Sequence, residues 1–280
     1  MQTHKILDRI ELLFPLNSQV ADLRRSFIDK DLHSIFRLMN DKNKEHLRKI
    51  ILENNQWSLW KILDSYVDTR FIQALKSFEV NEIKYDEDCL SKGQIKSKMW
   101  LIQELKNLNL DLGVVFLCAG WYSTLATMLF ESKVKVDKIR SFDIDESCVA
   151  ISETFNKPWF VDNWKFKAIT QDIMDIDYKT HVWQYWSNKN NRMSKPITDQ
   201  PDTIINTSCE HIENFSQWYN KIPKGKLVVL QSNDYSDVIE HVNCSIDEKS
   251  FSEHAPMETI LYLGTLDLDK YSRFMKIGIK

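Results

Sequence analysis

The sequence predicts an α/β fold, a mostly parallel, Rossmann-like sheet of seven strands preceded by a helical N-terminal domain. Three observations lead there. From Leu112 onward, short apolar runs alternate regularly with helical patterns, which calls for parallel strands joined by crossover helices. The run Val114-Val-Phe-Leu-Cys118 passes into a turn around Gly120, and an apolar helix begins near Ser123, as at the opening of a nucleotide-binding βαβ unit. No glycine precedes Gly93 in a chain of 280 residues that has only 6, which suits a helical bundle better than a sheet in the first part.

Taken in order, residues 1–90 form the expected helical domain, with apolar residues at helical spacing in Val20, Leu23, Phe27 and again in Trp60, Leu63, Val67, Phe71. Pro15 and Asn40-Asp-Lys-Asn-Lys44 break it. Residues 91–280 form the second domain. A connector through Ser91-Lys-Gly-Gln94 leads to a helix over 95–108, and Gly93 and Ser97 are alternatively a loop over a ligand. Strands are expected at 114–118, 138–143, 165–170, 202–207 and 226–231, and helices at 122–132, 146–156 and 212–220. Thr259 to Ile279 reads as two strands with a turn near Asp269, an antiparallel hairpin closing the sheet edge. Two insertions interrupt the alternation. Met174–Gln200 interleaves His181, Trp183, Tyr185 and Trp186 with Lys189, Arg192 and Lys195, either to stack on a base or as a surface excursion tucked down by its aromatics. Asp234–Met257 carries His241, Cys244 and His254 and is expected over the strand ends.

Composition narrows the function classes. With 43% apolar residues the chain can bury a full core, and no run reaches the roughly 20 apolar residues of a membrane span. Met1-Gln-Thr-His-Lys lacks the basic-then-apolar pattern of a secretion signal, so the expected location is cytoplasmic. Cys89, Cys118, Cys148, Cys209 and Cys244 lack paired spacing, which argues against a disulfide framework or zinc knuckle. A net charge of −3 gives no global pull on phosphate backbones, so nucleic acid would need a local patch such as 181–195.

Asp143, in Ser141-Phe-Asp-Ile-Asp145, ends the second strand roughly 20 residues past the turn, where a carboxylate can accept hydrogen bonds from both ribose hydroxyls. The competing role is capping the next helix, for which Asp145 is better placed. The fourth strand delivers Asn206, Thr207, Ser208, Cys209, Glu210 and His211 to the same carboxyl edge, a row hard to attribute to core packing, although a turn and helix cap would employ Ser208 and Glu210. His211 or Glu210 is a candidate base, Asn206 can orient an amine through its carbonyl, and Cys209 is a candidate thiolate nucleophile toward a pyrimidine carbon. A metal site could be drawn from Cys209, Glu210, His211 and His241, but the spacings match no metal motif, and no metal is expected.

Seven strands with an antiparallel final pair, after a helical N-terminal part, resemble the class I S-adenosylmethionine-dependent methyltransferases over residues 95–280. The wording Gly120-Trp-Tyr122, Asn206–Ile212 and Leu230–Asp234 also resembles a phage-type group within that class. The resemblance implies S-adenosylmethionine as cofactor. It places Cys118, Ala119, Gly120, Trp121 and Tyr122 in the cofactor turn, Asp143 and Ile144 at the ribose, Gln171 and Asp172 near the adenine, and Asn206 and Ser208 at the fourth strand. The chain departs from the family at the turn itself. The usual Gly-x-Gly-x-Gly is reduced to Gly120, followed by Trp121 and Tyr122, so either the ligand lies differently or the two rings wall its pocket.

Methyl transfer to a small-molecule or nucleotide acceptor is the function this implies. A second reading resembles nicotianamine-synthase-like enzymes, which also place helices before this fold and transfer the aminocarboxypropyl arm. The missing glycines, and the absence of an Asn/Asp-Pro-Pro-aromatic tetrad at 206–209, leave it open. A third is a non-catalytic binding module on a degenerate methyltransferase fold.

Overall fold

The computed structural model describes Phe78 and residues 83–132, 134–187 and 189–280. Most of the expected N-terminal helical domain, 1–90, lies outside the described residues. Trp100–Lys280 forms a compact unit by itself. A helix, α1 (Lys92–Asn107), leads into it.

The sheet of that unit has seven strands: β1 (Val114–Cys118), β2 (Lys138–Asp143), β3 (Phe166–Thr170), β8 (Thr203–Asn206), β9 (Leu227–Asn233), β10 (Thr259–Asp267) and β11 (Ser272–Ile279). Their order is β10-β11-β9-β8-β1-β2-β3. The first five in sequence pair in parallel, and β11 runs antiparallel between β9 and β10. This is the seven-stranded, mostly parallel, Rossmann-like sheet with an antiparallel terminal hairpin that the sequence predicts. β8 and β9 are buried at every residue and β1 at all but its first. These strands are covered on both faces, so their sequences read as continuous apolar runs rather than as alternation. Edge strand β10 is exposed or half-buried throughout.

Crossovers come from α2 (Thr124–Glu131), α3 (Ser147–Phe155) with the short α4 (Lys157–Val161), and α5 (Phe215–Lys221). α2 is buried from Thr124 through Leu129. α6 (Glu248–His254) begins in a capping box, with the Asp247 carboxylate accepting from Ser250 N–H at 2.7 Å. At its other end the Lys276 ammonium, reaching from buried β11, donates to the carbonyls of Ser252 and Ala255 at 2.8 Å each. A lysine inside an apolar strand is thereby satisfied by carbonyls that the helix end leaves open.

The insertion after β3 is a folded arm of two nested antiparallel pairs. β4 (His181–Trp183) pairs with β7 (Ile197–Asp199), and β5 (Trp186–Ser187) pairs with β6 (Arg192–Met193). Its foot is pinned to β2 by a buried ion pair. Arg140 Nε donates to Asp199 Oδ2 at 2.6 Å, Trp183 Nε1 donates to the same oxygen at 2.7 Å, and the guanidinium lies over the Trp183 ring at 5.2 Å. Trp183 and Tyr185 pack on Trp164, with ring centroids 5.6 and 4.5 Å away. This corrects the base-stacking expectation for His181 and Trp183, whose burial in the arm's foot removes their faces from any ligand. Trp186, Lys189, Arg192 and Lys195 remain exposed toward the tip.

Burial alone would raise the Asp199 carboxyl, but hydrogen bonds from Arg140 and Trp183 and the charges of Arg140 and Lys138 outweigh it and hold the group below the usual carboxylate range. Asp199→Asn leaves Arg140 buried without its counter-charge and is expected to cost about 3–5 kcal/mol in chemical denaturation. A depressed folded value means that the stabilisation is complete above the unfolded value of about 3.9 and is lost as pH falls through the folded one. The stability gap between wild type and Asp199→Asn is therefore widest above about pH 4 and narrows below it. A gap that does not change with pH contradicts this account.

Candidate functional site

The switch in strand order lies between β1 and β8, whose ends are in register at Cys118 and Asn206. Ligands of open α/β sheets bind beyond the carboxyl ends of the strands at such a point. The turn leaving β1 is tight and unusual. Ala119, Trp121 and Ser123 all have positive φ, at 52°, 48° and 53°. Each such non-glycine residue costs on the order of 1 kcal/mol or more, so the surroundings must hold the turn in place.

The surroundings can be named. Gly120 N–H donates to the Phe142 carbonyl at 3.0 Å, and Trp121 N–H donates to Asp143 Oδ2 at 2.7 Å. Below the turn, Ser123 Oγ bonds Ser141 Oγ at 2.7 Å and Ser152 Oγ at 3.1 Å, while Ser152 Oγ also donates to the Trp121 carbonyl at 2.8 Å. A Cβ on Gly120 would stand 2.1 Å from Ser141 Oγ, so this glycine is required by close approach to β2. Trp121 and Tyr122 stack on each other, with ring centroids 4.7 Å apart and planes inclined by 24°, and form a paired aromatic wall beside the turn.

Asp143 is half-buried, and its other oxygen, Oδ1, accepts from Asp145 N–H at 3.1 Å. Each carboxylate oxygen keeps a further acceptor position. Asp145 accepts from Ser147 N–H at 2.9 Å, which places the helix-entry role on Asp145 rather than on Asp143. Ile144 is 72% exposed although apolar, and it follows the carboxylate directly. At the end of β3, Asp172 Oδ1 accepts from Met174 N–H at 2.8 Å, the turn-starting role, and its second oxygen keeps its acceptor capacity. Gln171 is used by the insertion, with Oε1 2.9 Å from His181 Nε2 and Nε2 donating to the Asp175 carbonyl at 3.1 Å.

Three expected roles need correction. Cys118 is fully buried against Tyr178, with Sγ 3.5 Å from its hydroxyl, and burial pushes the thiol up to about 12. It supports the turn from below and faces the core. Cys209 is buried too, and desolvation and the neighbouring Glu210 charge raise its thiol well above the ordinary value, so the thiolate needed for covalent attack is disfavoured. Asn206 is fully buried, and its Oδ1 accepts from Ser208 N–H at 2.8 Å. Its Nδ2 has no hydrogen-bond partner among the described residues, so what the side chain leaves unpaired is a donor rather than the carbonyl expected to orient an amine.

The 3-10 turn Cys209–His211 follows β8. Glu210 Oε1 accepts from Asn233 Nδ2 at 2.7 Å and pairs with Arg273 Nη1 at 3.4 Å, both side chains being buried. Arg273 also donates to the Thr207 carbonyl. Ser208 supplies the carbonyl that receives His211 N–H at 3.1 Å, and its side chain does not cap the turn. His211 is exposed and 4.6 Å, edge to face, from His241. Sequence reasoning missed Arg273, whose signal was a charged residue, with Lys276, in a largely apolar strand. It placed Asn233 beside the site at the end of the fifth strand, but nothing local marks Asn233 as a partner of Glu210.

No family model and no curated protein matches the chain. Among solved structures it is similar to an N-methyltransferase, NodS, from Bradyrhizobium japonicum WM9 in complex with S-adenosyl-L-homocysteine, at TM-score 0.49 and 10% identity, over 73% of this chain and 98% of that one. It is also similar to a magnesium protoporphyrin IX methyltransferase from Synechocystis PCC 6803 with bound S-adenosylmethionine, at TM-score 0.46 and 12% identity, over 79% and 96%. Likenesses this remote add no argument to the strand order.

Gly120→Ala is expected to destabilise the protein by about 1–3 kcal/mol through overpacking against Ser141. In the Ser141→Ala background, where the clashing oxygen is gone and the next atoms are Leu117 carbons at 3.3 and 3.4 Å, most of that loss should disappear. Denaturant melts of the four proteins measure the coupling. Strict additivity would show that the close approach to β2 is not what demands a glycine.

Proposed function

We propose that the chain is an S-adenosylmethionine-dependent methyltransferase acting on a small-molecule or nucleotide acceptor. The observation that carries this is the Asp143 carboxylate at the end of β2, held over the switch point by the turn it ties down and still able to accept hydrogen bonds. When bound, the cofactor supplies an electrophilic methyl group to an acceptor lone pair in line with the sulfonium carbon–sulfur bond. Asp143 would take the ribose hydroxyls, and Ile144 would cover one face of the adenine, which gives its exposed apolar side chain a use. Asp172 keeps one carboxylate oxygen for the adenine amino group, since the other holds the Met174 N–H. The free Nδ2 of Asn206 suits a carboxylate or oxygen at the switch point. His211 sits on the same edge with Nδ1 3.1 Å from the Glu240 carbonyl, which leaves Nε2 to receive the acceptor's proton.

The proposal fits the turn only if Trp121 and Tyr122 line the cofactor and do not fill its place. Their mutual stacking, with Trp121 anchored through its backbone, supports a wall.

Calorimetry with S-adenosylmethionine is the test. Wild type should bind one molecule per chain, and Asp143→Ala should bind at least about tenfold more weakly, the loss of one or two hydrogen bonds to a charged group. Because Asp143 also holds the turn, S-adenosylhomocysteine and an analogue lacking the ribose hydroxyls should be compared on both proteins. Wild type should discriminate between them and the variant should not. Absence of binding to wild type overturns the proposal. With an acceptor in hand, S-adenosylhomocysteine as product supports methyl transfer, whereas methylthioadenosine would mean transfer of the aminocarboxypropyl arm.

A further inference from the structure

The ligand-capable atoms of Glu210, His211 and His241 all lie within 4.8 Å of one another. They come from two segments that the structure fastens together. Glu210 and His211 belong to the turn after β8, and His241 to the loop after β9. Asn243 N–H donates to the Glu210 carbonyl at 2.9 Å, Asn243 Nδ2 donates to the Cys209 carbonyl at 3.1 Å, and Ser245 N–H donates to the Asn233 carbonyl at 3.0 Å. The loop that carries His241 is thus bound to the turn that carries the other two.

The hydrogen bonds sort the ligand atoms in the way a metal centre requires. His211 Nδ1 faces the Glu240 carbonyl at 3.1 Å, and His241 Nδ1 faces the Tyr235 carbonyl at 2.5 Å. A carbonyl can only accept, so each ring carries its hydrogen on Nδ1 and presents the lone pair of Nε2. This backbone anchoring of the non-ligating nitrogen is the usual outer support of metal-binding histidines. Glu210 is similarly divided. Oε1 is taken by Asn233 and Arg273, while Oε2, on a side chain only 3% exposed, has no hydrogen-bond partner among the described residues. A buried carboxylate oxygen without a partner costs free energy that a cation would recover.

We propose that Glu210, His211 and His241 form a binding site for one divalent transition-metal ion of the class that takes imidazole and carboxylate together, such as zinc, cobalt or iron(II). Ligands around a tetrahedral ion at about 2.1 Å stand roughly 3.4 Å apart, so the three side chains must draw in around it, the half-buried and exposed histidine rings pivoting about their Nδ1–carbonyl contacts. Three protein ligands leave one tetrahedral position open. If the methyl-transfer reading holds, a hydroxyl or amine of the acceptor can occupy it, where the ion lowers its pKa before attack on the methyl group. In that case His211 serves as ligand instead of base, and the acceptor atom on the ion would give its proton to solvent water before it attacks the methyl group. The metal site itself does not depend on that reading.

Chelator-treated full-length protein titrated with cobalt(II), without S-adenosylmethionine, tests it. Expected are one ion per chain, d–d absorption of nitrogen and oxygen ligation without a thiolate charge-transfer band, and affinity at least about tenfold lower in both His211→Ala and His241→Ala. Both variants should keep the wild-type melting temperature in chelator, since neither ring is in the core. Glu210→Gln risks folding because it strands buried Arg273, so the histidine variants decide. Absence of stoichiometric binding, a thiolate band, or unchanged affinity in both variants overturns the proposal. Metal binding together with failure to bind S-adenosylmethionine would leave the site standing and remove the methyl-transfer reading.

Discussion

The hydrogen bond from Trp121 N–H to the Asp143 carboxylate, 2.7 Å long, is the contact on which the site depends. It joins the turn that leaves β1 to the end of β2, and it gives a turn with three left-handed non-glycine residues a reason to stay where it is. The same carboxylate also accepts the Asp145 amide. A charged acceptor satisfying two backbone amides is among the stronger local interactions available, roughly 1.5–3 kcal/mol each, which is enough to offset much of the strain. It explains how a chain with one glycine in this turn can keep a conformation that glycines would supply more cheaply.

A second carboxylate organises the other side of the switch point. Glu210 is buried against Arg273 from β11 and Asn233 from β9, and through them the turn after β8 is locked to the antiparallel end of the sheet. The terminal strands thus do more than close an edge. Removing the hairpin would strand a buried charge beside the place where chemistry is proposed.

Much of the architecture was legible because its strands are buried on both faces and read as apolar runs between helical patterns. Val114–Cys118 and Lys138–Asp143 occur as expected from the sequence, and the helix ends shift by a few residues, to Thr124–Glu131 and Ser147–Phe155. The insertion was not legible as a folded arm, because pairs of two and three residues are too short to show a period of two. In the site, Asp143 ends its strand where the apolar pattern put it. The roles of Cys209 and Asn206 were misread because burial and partners are set by residues distant in sequence, Arg273 above all, and six polar residues in a row carry no mark of which ones turn inward. His211 and His241 could be drawn together with Cys209 and Glu210 from the sequence, but that Cys209 turns inward while the two rings meet depends in the same way on a loop thirty residues downstream.

The central claim is that S-adenosylmethionine chemistry is built on the Asp143-held turn. A crystal structure of the protein with S-adenosylhomocysteine tests it most directly. The account predicts ribose hydroxyls within hydrogen-bonding distance of Asp143, the adenine against Ile144, and the Trp121 and Tyr122 rings bordering the ligand. A ligand seated elsewhere, or a turn in which those rings occupy the ribose position and exclude the ligand, would contradict it.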